Sequence, residues 1–317
     1  MSGSPIWTRT SGAVRAGVIL VGVLLAGCAP ATPATSTAPP PASTQDPSPR
    51  PSFTLPSTAP SVEPSVDRDV VAGLFDVGGH SLYLTCSGTG SPTVVHFHGY
   101  VDDRAFSGIY SAIPVQERLQ DRYRTCLYDR ANVGVSGFAD GPLSGQTSVA
   151  DLHALLAAAD ERGPFVLLGS SFGGLIAYMY ALTYPDEVVG MVLLDPSLPD
   201  ELSRIADVVL PPDYQLLPNE WRSSVEQIDR LATYRQAEAL IGKEPPIPVI
   251  LLGTTTIEIP PELPVAEITR LSRQLQQEFV DRFSPGELIL VDAPHYMEPA
   301  IPDRIVAEVT RLIEELR

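Results

Sequence analysis

From Val70 onward, short runs of β-branched and aliphatic residues alternate with longer amphipathic stretches, the pattern of strands linked by helices around a mostly parallel sheet. Residues 82–86 and 93–97 read as two strands separated by the Gly-rich turn at 87–92, a hairpin-like start to the domain. Further strands are predicted at 124–128, 165–169, 189–194, 248–252 and 288–291, each apolar almost throughout, as strands buried on both faces are. A helix is predicted at 148–162, capped by Ser148 or Thr147, with Asp151 near the positive end of its dipole and Gly163-Pro164 as its stop. Others should run over 172–184, stopped by Pro185, and from Asp303 to the C-terminus. Residues 197–246 interrupt the alternation with mixed helix signal and prolines, over a length beyond an ordinary connection, and are expected to form a small helical cap. The fold class is therefore α/β, with one domain over residues 67–317 and helices on both faces of its sheet.

Proline changes the reading of the N-terminal part. Of 32 prolines in 317 residues, a large share crowd between Pro30 and Pro64 among Ala, Ser and Thr, with almost no large apolar side chain. Such a stretch cannot bury a core, so residues 28–66 are expected to be a disordered tether. Ahead of it, Arg9 and Arg15 precede an apolar run at 16–26 that is too short to span a bilayer comfortably, which predicts a signal peptide over 1–27. The run closes in Leu25-Ala26-Gly27-Cys28, which resembles the bacterial lipobox. That resemblance implies a lipoprotein whose Cys28 becomes the mature N-terminus, carries acyl chains such as palmitate, and ties the protein to the extracytoplasmic side of the cell-envelope membrane. An ordinary secretory signal with an incidental cysteine, or a retained anchor, is the alternative.

Export bears on the remaining cysteines, because thiol pairs outside the cytoplasm are usually oxidised: Cys86 and Cys126 are expected to form a disulfide, with two separate buried thiols as the alternative. Two cysteines are too few for a zinc cage and form no Cys-x-x-Cys motif, so no metal or redox cofactor is expected. A net charge of −17 with a single lysine, Lys243, argues against nucleic acid as a partner and leaves no polybasic patch for anionic lipid.

The candidate chemistry centres on Gly169-Ser170-Ser171-Phe172-Gly173, which fits Gly-x-Ser-x-Gly only with Ser171 as its centre, since the other frame would need glycine at Leu168 and Phe172. An apolar strand runs into the motif and an apolar helix runs out, the context in which Gly169 and Gly173 relieve crowding around a nucleophile on a strained turn. With this motif, and with His98-Gly99-Tyr100 and His295 in order around it, residues 73–316 resemble the α/β-hydrolase superfamily, in its serine hydrolase branch.

The resemblance implies roles for particular residues. Tyr100 and Phe172 would supply the two backbone N–H groups of an oxyanion hole. The stretch Tyr128-Asp129-Arg130-Ala131-Asn132 matches the loop after the fourth strand, where Asp129 and Arg130 are structural. The second and fourth strands lie side by side in this fold, which makes the Cys86–Cys126 pairing sensible. Of five histidines, His80, His96, His98 and His153 stand elsewhere, whereas His295 follows the last strand, where the superfamily places its general base. Members usually carry the acid after the strand that here ends at Leu252, yet Gly253-Thr254-Thr255-Thr256 holds no carboxylate. Asp195, one strand earlier, is a position used by some lipases and dehalogenases of the fold and is the expected acid; Glu258 is the alternative, with Asp292 or Glu298 behind it.

The implied activity is esterase-like or lipase-like hydrolysis of a carboxylic ester, through an acyl-enzyme on Ser171, on a small-molecule or lipid substrate and without a cofactor. A peptidase or amidase of the same fold stays open, as does an envelope lipoprotein that binds a ligand without turnover. Within the cap, Tyr214, Leu216, Leu217 and Trp221 could line an apolar acyl site, although such a helical face is more often core.

Overall fold

The computed structural model describes residues 69–102, 106–206, 208, 220–257, 259, 261 and 263–317. The expected signal and tether, with Cys28, and also Tyr214, Leu216, Leu217 and Glu258 lie outside the described residues. No helix among the described residues is long and apolar enough to cross a membrane.

The strands are β1 (Val70–Asp76), β2 (Ser81–Ser87), β3 (Thr93–Phe97), β4 (Thr125–Tyr128), β5 (Phe165–Ser170), β6 (Val188–Leu194), β7 (Val249–Thr254) and β8 (Gly286–Val291). They form one sheet in the order β1-β2-β4-β3-β5-β6-β7-β8. The pairs from β4 to β8 are parallel, while β1 with β2 and β2 with β4 are antiparallel.

Strands β5, β6 and β7 read as unbroken apolar runs because each feeds two cores. Phe165, Leu167, Met191, Leu193, Val249 and Leu251 face one, while Val166, Leu168, Val192, Leu194, Ile250 and Leu252 face the other. The first core is covered by α2 (Gly145–Ala158), α3 (Phe172–Thr183) and α6 (Val265–Val280), and the second by α1 (Ile113–Leu119) and α8 (Pro302–Glu315). The residues between β6 and β7 contribute α4 (Glu201–Ile205), a 3₁₀ turn at Glu220–Ser223 and α5 (Arg230–Glu238). A short α7 (Met297–Ala300) follows β8.

Three expectations are corrected. The opening hairpin is β1 with β2, turned through Gly78 and Gly79 at φ 101° and 112°, whereas β3 pairs with β4 and β5 and makes no ladder with β2. Burial explains the choice: β3 is buried at every position and needs a neighbour on both sides, while β2 alternates and suits a place near the edge. The helix placed at 148–162 is α2, which begins earlier because Ser144, in extended conformation, accepts from Thr147 N at 3.4 Å; Asp151 falls in its second turn and pairs with His80 instead. Strand β8 is only partly buried, since it closes the edge of the sheet.

The antiparallel register of β2 on β4 sets Cys86 directly opposite Cys126, with Cα atoms 4.0 Å apart, and the two are joined by a disulfide.

Candidate active site

Strand β5 delivers Ser171 into a turn at φ 50° and ψ −125°, a conformation that costs of order 1–3 kcal/mol and persists only where neighbours over-determine it. They do so here. Ser171 N donates to Leu194 O at 3.0 Å, and Ser171 O accepts from Ser197 N and Gly174 N, both at 2.9 Å, so the turn is stitched to the end of β6 and to the first turn of α3. A Cβ on Gly173 would collide with the carbonyls of Phe97 and His98, and one on Gly169 would come within 2.7 Å of Gly174 Cα. The motif's glycines thus let α3 start tight against β3 and β5.

His295 lies in the loop between β8 and α7, and Asp195 at the end of β6, in a positive-φ conformation of 40°. His295 Nε2 is 2.9 Å from Ser171 Oγ, and its Nδ1 is 2.7 Å from Asp195 Oδ2. The hydrogen bond to Asp195 raises the imidazole pKa above its ordinary 6.5, against the opposing effect of burial. The other oxygen, Asp195 Oδ1, accepts at 3.4 Å from Thr254 N and from Gln276 Nε2 on α6. The stretch from Gly253 to Thr256, which holds no carboxylate and includes the last residue of β7, Thr254, therefore has another use. Thr254 bonds Asp195 through its amide and donates through its hydroxyl to Ala293 O, two residues before His295. Neither Thr254 nor Gln276 carries a motif that sequence reading could have seized on.

The loop after β3 runs beside Ser171: a Cβ on Gly99 would stand 3.4 Å from Ser171 Cβ and 4.0 Å from its Oγ. The rings of Tyr100 and Phe172 meet edge to face, with centroids 6.0 Å apart. Burial, reinforced by Arg130, pushes the His98 imidazole well below its ordinary pKa and keeps it neutral. Its partners assign the tautomer: Nδ1 donates to Gly99 O at 2.7 Å and Nε2 accepts from Arg130 N at 3.2 Å. Asp129 accepts from Ser107 Oγ and Gly108 N, both at 2.7 Å. Arg130 forms a buried fork with Glu226, Nε to Oε2 and Nη2 to Oε1 at 2.8 Å each. Glu226 reaches this site from the segment between α4 and α5, and nothing in its sequence surroundings marks it.

The remaining three histidines each pair with a carboxylate. His80 pairs with Asp151 at 3.1 Å, His153 with Glu187 at 3.0 Å, and His96 with the buried Glu298 at 3.2 Å. Trp221 lies against the Arg222 guanidinium, 4.5 Å from the ring centroid. A cavity of about 150 Å³ opens beside the His295–Asp195 pair, between Leu198, Glu201, Leu275 and Gln276. Burial, with Asp195 adding to it, pushes the Glu201 carboxyl up to about 7. One described cluster has metal-ligand spacing, Cys86, Cys126 and Glu161, but its two sulfurs are bonded to each other, which removes them as ligands.

The arrangement can take a proton from Ser171 and stabilise the charge left on the imidazole. Comparisons with known proteins show the family to which the chain belongs. The profile of the alpha/beta hydrolase family matches residues 94–311. Lipase LipV of Mycobacterium tuberculosis is 42% identical over 80 residues, covering 23% of this chain and 30% of that protein. The uncharacterized protein YqjL of Bacillus subtilis is 34% identical over 87 residues, covering 27% of this chain and 34% of its own. The chain thus spans about a third of the length of these curated relatives. Est1E from Butyrivibrio proteoclasticus, solved with ferulic acid bound, superposes with a TM-score of 0.56 at 17% identity, over 77% of this chain and 100% of that one, a likeness of fold.

Proposed function

Since the chain belongs to the alpha/beta hydrolase family, we propose that it is a serine hydrolase that cleaves carboxylic esters through an acyl-enzyme on Ser171. The observation that carries this reading is the continuous chain from Asp195 Oδ2 through the two nitrogens of His295 to Ser171 Oγ, at 2.7 and 2.9 Å. His295 takes the Ser171 proton as Oγ bonds to the ester carbonyl carbon, and the carbonyl π pair moves to oxygen as an oxyanion. Collapse of that intermediate expels the alcohol, which leaves with the proton from His295. Water, deprotonated by the same imidazole, then attacks the acyl-enzyme and frees the acid and Ser171. Asp195 holds the ring in the tautomer this requires and stabilises the imidazolium. The N–H groups of Tyr100 and Phe172 receive the oxyanion, a contribution of about 2.7–4 kcal/mol for one such donor in other systems.

Esters are favoured over amides by the likeness of an 80-residue stretch to LipV, a lipase. The lipobox-like Leu25-Ala26-Gly27-Cys28 supports an envelope location, with the catalytic domain tethered by lipid on Cys28. A fluorophosphonate probe tests the chemistry: wild-type protein is expected to be labelled at Ser171 and to turn over p-nitrophenyl acyl esters, and Ser171→Ala to do neither. A folded wild-type protein that resists the probe ends the reading. Cys28→Ser is expected to shift the protein from the detergent phase to the aqueous phase; equal partitioning of both forms removes the anchor.

A further inference from the structure

We propose that Arg130 and Glu226 are positioning residues that aim the Tyr100 N–H at the oxyanion site beside Ser171, an inference that rests on the serine-hydrolase reading above. The N–H in question belongs to the Gly99–Tyr100 peptide. In a trans peptide the carbonyl and the N–H point to opposite sides of the chain, so whatever fixes one aims the other. Gly99 O accepts two hydrogen bonds, from Arg130 Nη2 and from His98 Nδ1, each at 2.7 Å. Two donors on one carbonyl fix the roll of the peptide plane and turn the Tyr100 N–H away from Arg130.

The peptides on either side are held by the same pair. His98 O accepts from Arg130 Nη1 at 2.7 Å, and Val101 N donates to Glu226 Oε1 at 2.6 Å. Three consecutive peptides of the loop therefore each have a polar group bonded to the Arg130–Glu226 pair. The guanidinium also stands 5.8 Å from the ring centroid of Phe172, the residue that carries the second N–H. Both members are almost fully enclosed, Arg130 at 3% and Glu226 at 1% exposure. A buried ion pair is weak evidence for stability, because desolvation offsets the attraction. This one is spent on a loop whose Gly99 abuts the nucleophile, and a full positive charge on Gly99 O also polarises that amide, making its N–H a stronger donor to an oxyanion.

Glu226 lies in the segment joining α4 to α5, so the proposal makes that insertion a part of the oxyanion site. Stabilisation that exists only when charge develops should appear in kcat and leave KM alone. Arg130→Lys keeps the charge but cannot bond His98 O, Gly99 O and Glu226 together; Glu226→Gln keeps the shape and loses the charge.

The test measures p-nitrophenyl butyrate turnover and the Ki of an alkyl trifluoromethyl ketone, which adds Ser171 Oγ to its carbonyl and places an oxyanion where the reaction does. In both folded variants kcat is expected to fall about 10- to 100-fold with KM within about two-fold, and Ki to rise by the factor by which kcat/KM falls. Unchanged kcat, or a loss of kcat with unchanged Ki, overturns the proposal. If Arg130→Lys does not fold, Glu226→Gln decides alone, and failure of both to fold assigns the pair to stability and overturns it as well. A folded wild-type protein that neither hydrolyses the ester nor binds the ketone fails the serine-hydrolase reading itself, and this inference falls with it. An active wild type beside unaffected variants removes this inference alone.

Discussion

Asp195 Oδ2 stands 2.7 Å from Nδ1 of His295, although the two residues are 100 positions apart in the chain. A carboxylate at the end of β6 thus occupies the position that orients the imidazole. Asp195→Asn is expected to lower kcat on p-nitrophenyl esters by about 10⁴-fold, because the amide favours the wrong tautomer. Glu258→Gln is expected to stay within about two-fold of wild type. Steady-state kinetics on both variants decide the matter, and the reverse ranking would move the acid to Glu258.

The hydrogen bond from Asp195 raises the His295 pKa above 6.5. Only the neutral ring can accept the Ser171 proton, so kcat/KM is expected to fall as pH drops through an apparent pKa above that value. Removing the carboxylate removes the largest cause and leaves only the weaker pull of Glu298 and Glu201. The residual activity of Asp195→Asn should show its acid limb at lower pH, and a limb that does not move separates His295 from the titration.

Glu201 titrates in the fold near 7, raised from 4.5 by burial and then by Asp195. A group with a raised folded pKa is neutral where the fold prefers it. Its contribution to stability is full below 4.5 and is lost as pH rises through about 7. Glu201→Gln, which cannot ionise, is expected to melt higher than wild type at pH 8.5 and to lose that advantage at pH 5. Melting curves at the two pH values test it, and a difference independent of pH refutes the assignment.

The Cys86–Cys126 disulfide closes a separation of 40 residues between adjacent strands. In the chain-entropy description a loop of that size is worth about 4 kcal/mol. Cys86→Ala/Cys126→Ala is expected to lower the free energy of urea unfolding by about that amount while leaving fluorophosphonate labelling intact at 25 °C, since both cysteines are fully buried on β2 and β4 whereas Ser171 follows β5. An unchanged midpoint would remove the bridge as a source of stability.

Strands β3, β5, β6 and β7 are legible because a strand covered on both faces must be apolar at nearly every position, a demand that shows in any window of the sequence. Strand β1 is not legible, since its burial alternates but exposed Val70 and Leu74 are as apolar as its buried positions, and its partner is decided by the turn at Gly78 and Gly79. The start of α2 is ambiguous in the sequence: Ser144, Thr147 and Ser148 are all acceptable caps, and only the docked helix shows that Ser144 does the capping.

The amino-acid sequence by itself determined the turn at Ser171, because Gly169 and Gly173 frame it in one five-residue motif, although the atoms that would crowd a side chain at 173 come from distant Phe97 and His98. It also determined that a histidine after the last strand lies in the right order to serve it. What only the tertiary structure decided are the meetings of distant side chains: Asp195 with His295, Thr254 with both Asp195 and Ala293, and Glu226 with Arg130 across 96 positions. Such contacts depend on which strands become neighbours and where an insertion closes back on the sheet. Chain folding sets those choices through burial and loop closure, and they leave no periodicity or spacing for a sequence to display.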